Sequence, residues 1–282
     1  MKMTKSIDKD LNQIYLEIKS IYNDIEKNKG VESLYNGVNY HFSSRGKMLR
    51  PAFMLSVNDD LGGKFETIKN FAIAIELIHN YSLIHDDLPA MDDDDYRRGQ
   101  LTIHKKYDEA TAILLGDFLL TKAFECASNI DDDSEDYLSR LKCINILAKN
   151  SNDFGMIGGQ ILDISSEVLD SPEMVIKMYE YKTSALFQSS FIIPGIINNR
   201  SDFEIDILRN IGKNFGTLFQ IMDDISDKLE DEKIGKITLF KFYNEEEMST
   251  LVDKLKCSLL SDLETLKLHK TKDLMIKLYE KK

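Results

Sequence analysis

Apolar residues recur at alternating steps of three and four along much of this chain, and that spacing constrains the fold more than any other feature. Leu11, Ile14, Ile18, Ile21 and Ile25 form one such stripe near the start; Leu259, Leu263, Leu266 and the Leu274 to Leu278 cluster form another near the end. Residues three and four apart share one face of a helix, whereas a half-buried strand needs period-two alternation. Such alternation, bounded by turn signals, is nearly absent. The pattern predicts an all-α chain. Only four prolines interrupt 282 residues and no linker-like stretch divides them, which predicts one domain over 1–282. Gly62-Gly63 is expected to separate two helices, and Ser171-Pro172 to cap and begin another that bends or ends at Pro194-Gly195.

Charge narrows the function. The formal net charge is −12, so the chain has no sequence-wide basic footprint for nucleic acid, and an anionic ligand must be met by locally placed cations. Cys126, Cys143 and Cys257 lie far apart with no CxxC, which argues against a structural zinc site and fits a reducing compartment, the cytoplasm by default. The segment from Met1 to Asp10 lacks the apolar core of a secretory signal. The apolar stretches Phe71 to Ile78 and Ala112 to Leu120 are interrupted by Glu76 and Asp117 and fall short of the roughly 18 residues of a membrane span. No stable membrane insertion is expected.

Two aspartate clusters are the informative feature. The first, from Tyr81-Ser82, contains Asp86-Asp87-Leu88-Pro89-Ala90-Met91-Asp92 and runs through Asp93-Asp94-Asp95-Tyr96 into Arg97-Arg98-Gly99; the second is Phe219-Gln220-Ile221-Met222-Asp223-Asp224-Ile225-Ser226-Asp227. On a helix Asp223 and Asp227 share a face, with Gln220 about one turn earlier, and like charges so placed repel unless a cation joins them. Asp86 and Asp92 would be separated by roughly 120° on an unbroken helix; Pro89 disrupts the ladder there, so a local bulge bringing Asp92 back beside Asp86 is the expectation. A plain alternative is a solvated acidic loop with aspartates capping helix ends. A calcium loop is excluded, because Gly99 at its sixth position would put Tyr96 and Arg98 at ligand positions. Arg97, Arg98, Lys47, Arg50, Lys182 with Thr183, and Lys236 accompany the acids. Magnesium binds through one or two carboxylates plus substrate phosphates, so acids and bases together suit a diphosphate.

At these residues the chain resembles the trans-isoprenyl diphosphate synthases, the farnesyl and geranylgeranyl diphosphate synthases, over nearly its whole length. Gly46-Lys47-Met48-Leu49-Arg50-Pro51 is similar to the family's GKxxRP segment, Asp86 to Asp92 to its bacterial DDxxxxD motif, and Gly159-Gln160-Ile161-Leu162-Asp163 to GGQxxD. Lys182-Thr183 resembles the KT pair, and Phe219-Gln220 leads into the second motif, Asp223-Asp224-Ile225-Ser226-Asp227. Each motif alone is weak; together, in order, they are specific. The resemblance implies a bundle of about ten or more helices around a central cavity, the isoprenoid synthase fold, in a homodimer.

It also implies roles. Asp86, Asp92 and Asp223 would hold three Mg2+ per active site, supported by Asp87, Asp224 and Asp227; Arg97, Lys182, Gln220 and Lys236 would bind the allylic diphosphate, and Thr183, also on the substrate, would supply an oxygen dipole to the carbocation. Lys47, Arg50, His79 and Arg98 would bind isopentenyl diphosphate. His79 lies seven residues before Asp86, on nearly the same helix face about 10 Å away, although a histidine edging an apolar helix is also an ordinary structural residue. Phe219 would face the carbocation, or serve as a plain core phenylalanine. Tyr81, roughly 7.5 Å before Asp86 along a helix axis, would floor the product tunnel beside the small Ser82, which favours farnesyl diphosphate over the geranylgeranyl or geranyl product.

Three departures from the family's pattern stand out. Arg45 replaces a usual glycine before Gly46, the stretch from Lys228 to Lys241 around Gly235-Lys236-Ile237-Thr238 is short, and Tyr279-Glu280-Lys281-Lys282 lacks the basic tail of some relatives. A class I terpene cyclase is disfavoured because Asp227 and Asp231 stand where its second motif needs serine and glutamate. A non-catalytic partner subunit would not need both aspartate clusters.

Overall fold

A computed structural model describes residues 5–21, 30–129 and 136–279. Helices dominate it, and the one sheet among the described residues is a two-stranded hairpin, so the all-α expectation holds. The chain divides into two compact units, Met1–Ala52 with Phe65–Glu135, and Phe53–Lys64 with Asp136–Lys282.

In the first unit, α1 (Lys5–Ser20) buries Leu11, Ile14 and Ile18, as the stripe predicts, and Ile7 as well; Ile21 falls just past the helix and is half-buried, and Ile25 lies outside the described residues. After α2 (Glu32–His41) comes α3 (Leu49–Asp60), whose first turn belongs to this unit, and then α4 (Phe65–Asp86). Gly62-Gly63 sits in the break between α3 and α4, with Gly62 at φ 78°. Every residue of α4 from Phe71 to Ile78 is buried, so this middle stretch of the helix has no solvent-facing side and lies in the core. Strands β1 (Tyr96–Arg97) and β2 (Gln100–Leu101) pair Tyr96 with Leu101 and Arg97 with Gln100. Their turn holds Arg98 at φ 53° and Gly99 at φ 76°, the two left-handed residues of a tight hairpin whose twist matches its strands. The short α5 (Ile103–Lys106) leads into α6 (Glu109–Ser128), capped by Asp108, which accepts from the Thr111 amide at 2.7 Å.

The second unit adds α7 (Tyr137–Ser151), α8 (Met156–Ile164) and α9 (Pro172–Tyr179). Ser171 caps α9 by accepting from the Met174 amide, with Pro172 as its first residue, as the sequence predicts. The helix does not end at Pro194. Instead a single π-helical turn, Glu180–Ser184, joins α9 to α10 (Ala185–Ile197), and Pro194 lies inside α10. The wide turn absorbs the local change in winding earlier in the chain, and Pro194 is tolerated within the last turn. Helix α11 (Asp202–Ile234) is unbroken and about 50 Å long; α12 (Glu245–Thr265) opens with an Asn244–Glu247 capping box, and α13 (His269–Tyr279) follows. The α13 N-terminus is capped from a distance: Asp60 accepts from the Lys270 and Thr271 amides at 3.0 and 2.9 Å. An aromatic core of Phe53, Phe187, Phe191 and Phe215 packs with ring centroids 4.5 to 6.4 Å apart. No described helix is long and apolar enough to cross a membrane.

Candidate active site

The first aspartate pair stands where a helix stops. Helix α4 ends at Asp86, and the Leu88 amide turns back to the His85 carbonyl at 3.2 Å. The Asp92 amide then donates to the Asp86 carbonyl at 2.9 Å. Asp92 therefore does return beside Asp86, but through a closed turn after the helix instead of a bulge within it. Pro89, lacking an amide proton, fits that turn because the carbonyls it would have bonded are used by Leu88 and Asp92. Asp86 is half-buried and Asp92 exposed, whereas Asp87 is 3% exposed.

Asp87 is held by the hairpin that follows. The Arg97 Nε donates to its Oδ1 at 2.5 Å, and Arg97 Nη2 reaches Asp94 at 3.2 Å. Burial raises the Asp87 carboxyl to about 6, with the Arg97 charge opposing the shift. Arg97, expected on the allylic diphosphate, is thus already engaged by two carboxylates. Arg98 packs against the Gly46 loop: a Cβ at Gly46 would stand 2.5 Å from the Arg98 guanidinium. That close approach needs glycine in the GKxxRP segment. Met48 there adopts φ 49°, and Lys47 is exposed.

Around these cations lies a polar group that the motifs do not mark. His41 and Asn80 share a hydrogen bond of 2.8 Å, and Asn80 donates to the Glu76 carbonyl and to its carboxylate Oε1 at 2.7 and 3.0 Å. Burial raises the Glu76 carboxyl, opposed by Asn80, Arg50 and Arg98. Burial also lowers the Arg50 guanidinium to about 10. His79 is pushed well below its ordinary value by burial and then by Arg50, Arg98 and Arg97. It is therefore a neutral hydrogen-bonding group, not a cation. A small cavity in this unit is lined by His41, Asp87, Arg97, Arg98 and Thr102 among others. Tyr81 is buried, its ring 5.8 Å from that of His85 and its hydroxyl without a hydrogen-bond partner among the described residues; Ser82 donates to the His79 carbonyl at 3.0 Å.

The second pair sits mid-helix in α11. Asp223 is half-buried and Asp227 exposed, while Asp224 is 2% exposed. Asp224 accepts from the Tyr179 hydroxyl and from Gln220 Nε2 at 3.0 Å, and Lys236 Nζ stands 3.8 Å from it. Gln220 in turn accepts from the Thr183 hydroxyl at 2.8 Å. Thr183 thus directs its proton to Gln220. Lys182 and Thr183 both lie in the π-helical turn, and Lys182 Nζ donates to Asp163 at 2.5 Å. This contact explains the GGQxxD segment: Asp163 anchors Lys182, and a Cβ at Gly159 would fall 2.1 Å from the Lys182 backbone nitrogen. Phe219 is half-buried and extends the aromatic core, 5.7 Å from Phe187 and 6.0 Å from Phe215. The stretch after Lys228 is not a loop through to Lys241. Helix α11 continues to Ile234, and Gly235 at φ 71° ends it.

These carboxylates suit magnesium. All are hard oxygen donors with no thiolate among them, and among the described residues no group of three or more histidine, cysteine or acidic side chains is placed to hold a metal alone. Magnesium takes one or two carboxylates and completes its shell with water and substrate oxygens.

The polyprenyl synthetase family model matches residues 31–251. A farnesyl diphosphate synthase from Micrococcus luteus is 48% identical over 206 residues, covering 72% of this chain and 69% of that one. A heterodimeric geranylgeranyl pyrophosphate synthase large subunit from Arabidopsis thaliana is 39% identical over 209 residues, covering 72% of this chain and 56% of that one, so the match spans little more than half of the plant protein. The structure of a geranyltransferase from Helicobacter pylori complexed with magnesium and isoprenyl diphosphate is 28% identical, with a TM-score of 0.80 and complete coverage of both chains, 100% each. By its motifs, its fold and these matches, the chain belongs to the polyprenyl synthetase family.

Proposed function

We propose that this protein condenses isopentenyl diphosphate with an allylic diphosphate, dimethylallyl or geranyl, releasing diphosphate and giving farnesyl diphosphate. The observation that carries this reading is the ordered set of family motifs in a chain 48% identical over 206 residues to a farnesyl diphosphate synthase. Asp86, Asp92 and Asp223 would hold Mg2+, three ions per active site, with Asp87, Asp224 and Asp227 in support. Magnesium, when bound, supplies positive charge that stabilises the departing diphosphate.

The chain's own residues do the rest. Lys182, fixed by Asp163, Gln220, fixed by Thr183, Lys236 and Arg97 bind the allylic diphosphate. Lys47, Arg50 and Arg98 bind the isopentenyl diphosphate, and neutral His79 contributes a hydrogen bond without adding charge. The allylic C–O bond breaks, the isopentenyl double bond attacks the carbocation, and the proton lost goes to the released diphosphate. An apolar wall is needed because water would quench the cation. Phe219, on the edge of the aromatic core, offers a ring face for it.

Incubating the purified protein with Mg2+, isopentenyl diphosphate and geranyl diphosphate, then identifying the alcohol after phosphatase treatment, tests this reading. Farnesol is expected; a cyclic hydrocarbon or no product would reject it. Tyr81→Ala is expected to lengthen the product toward geranylgeraniol, and an unchanged product distribution would remove Tyr81 from that role. We assign a homodimer, for which the exposed Ile113 and Leu114 of α6 offer apolar surface; a monomer in sedimentation equilibrium would refute it.

A further inference from the structure

Tyr179 belongs to none of the motifs, yet its hydroxyl joins the second aspartate motif to the turn that follows Gly235-Lys236-Ile237-Thr238. It is 1% exposed, so its ring is fixed in the core at the end of α9. On one side the hydroxyl contacts Asp224 Oδ2; on the other the Leu239 amide donates to it at 3.3 Å. The direction of these bonds is determined. An amide N–H only donates, so the tyrosine oxygen accepts from Leu239 and directs its single proton to Asp224. Burial first, and then the Asp224 charge, raise the Tyr179 pKa far above its ordinary value, so the hydroxyl keeps that proton.

Leu239 opens the short 3-10 turn Leu239–Lys241, just after the Gly235-Lys236-Ile237-Thr238 segment. The backbone bonds within this turn are local: Lys241 to Thr238, and Phe242 and Tyr243 to Leu239. The bond to Tyr179 ties the turn to α9. Lys236 stands 3.8 Å from the same Asp224, and Gln220 donates to that carboxylate as well. One buried carboxylate is therefore approached by a phenol, an amide and an ammonium, and the phenol also holds the backbone that carries the ammonium.

We propose that Tyr179 is a positioning residue for the allylic diphosphate, tying the second aspartate pair to the Gly235–Lys241 segment so that Asp223 and Lys236 are presented together. The inference rests on the prenyl transfer reading above. It gives the short connection after α11 a function: with little chain between Ile234 and Leu239, one hydroxyl is enough to fix it.

The test is Tyr179→Phe in the full-length protein, which removes only the oxygen. The KM for geranyl diphosphate and the Mg2+ concentration for half-maximal activity are each expected to rise about tenfold, the effect of one lost charge-assisted hydrogen bond. The KM for isopentenyl diphosphate stays unchanged, and amide exchange at Leu239 accelerates by about tenfold. Equal changes in both KM values, or unchanged Leu239 exchange, would overturn the proposal. Should the variant not fold, Leu239 exchange in the wild-type protein decides: Mg2+ with inorganic diphosphate is expected to slow it at least roughly threefold, and no slowing would overturn the proposal. Wild-type turnover in the same assay separates the two readings. An inactive wild type defeats the prenyl transfer reading, whereas an active wild type with an unaltered variant defeats only the role of Tyr179.

Discussion

At the first aspartate pair the helix stops and the chain turns back on itself; at the second, α11 runs through without a break. The division of labour is nonetheless the same. Asp86 and Asp223 are partly exposed, and their neighbours Asp87 and Asp224 are almost wholly buried. What anchors the inward residue differs. Asp87 is bound by the Arg97 guanidinium, presented by a hairpin, while Asp224 is bound mainly by the Tyr179 hydroxyl and the Gln220 amide, presented by helices. In each pair one carboxylate is buried against side-chain donors while its neighbour stays partly exposed. The doubled aspartate thus couples a buried anchor to a more exposed carboxylate, whatever the backbone beneath it.

Several substitutions probe whether the two pairs share this logic. The largest effect is expected at the ligand-facing positions: Asp86→Asn and Asp223→Asn should each lower kcat roughly 10³-fold, with the melting temperature little changed. The inward positions should behave in the opposite way. Asp87→Ala leaves the Arg97 guanidinium without its buried partner and is expected to cost about 3 kcal/mol of stability by chemical denaturation. Asp224→Ala should cost about 2 kcal/mol, since its closest partners are neutral donors. Equal stability losses at the ligand-facing and inward positions would erase the distinction.

Next in size comes Gly159→Ala. The added methyl meets the Lys182 backbone, which cannot swing aside, so the KM for geranyl diphosphate should rise several-fold while that for isopentenyl diphosphate holds. The smallest expected effect is one of pH. The His79 pKa is depressed, so its neutral form persists until the pH falls well below its ordinary value of about 6.5. The KM for isopentenyl diphosphate should therefore be flat between about pH 6 and 8. A rise across that window would mean that protonated His79 takes part in binding.

Much of this was legible in the sequence because spacing encodes faces. The α1 stripe, the Gly62-Gly63 break and the Ser171-Pro172 helix start follow from local chemistry, and all stand in the structure. The π-helical turn at Glu180–Ser184 was not legible, since it depends on how α9 and α10 pack, and the visible breaker, Pro194, lies in continuous helix. The capping of α13 by Asp60 joins residues more than 200 apart in sequence, beyond any local signal. The candidate site divides in the same way. Its acids and bases are marked by motifs, but their anchors Tyr179 and Asp163 act through tertiary contacts. Of these only Asp163 stands within a motif.

In the proposed reaction, the carboxylates of the two pairs help an allylic diphosphate leave. The most direct test is a single-turnover experiment with geranyl and isopentenyl diphosphates, comparing the wild-type protein with the double variant Asp86→Asn/Asp223→Asn. Farnesyl diphosphate should form with the wild type only when Mg2+ is present, and the double variant should give none above background. Undiminished turnover by the double variant would contradict this assignment.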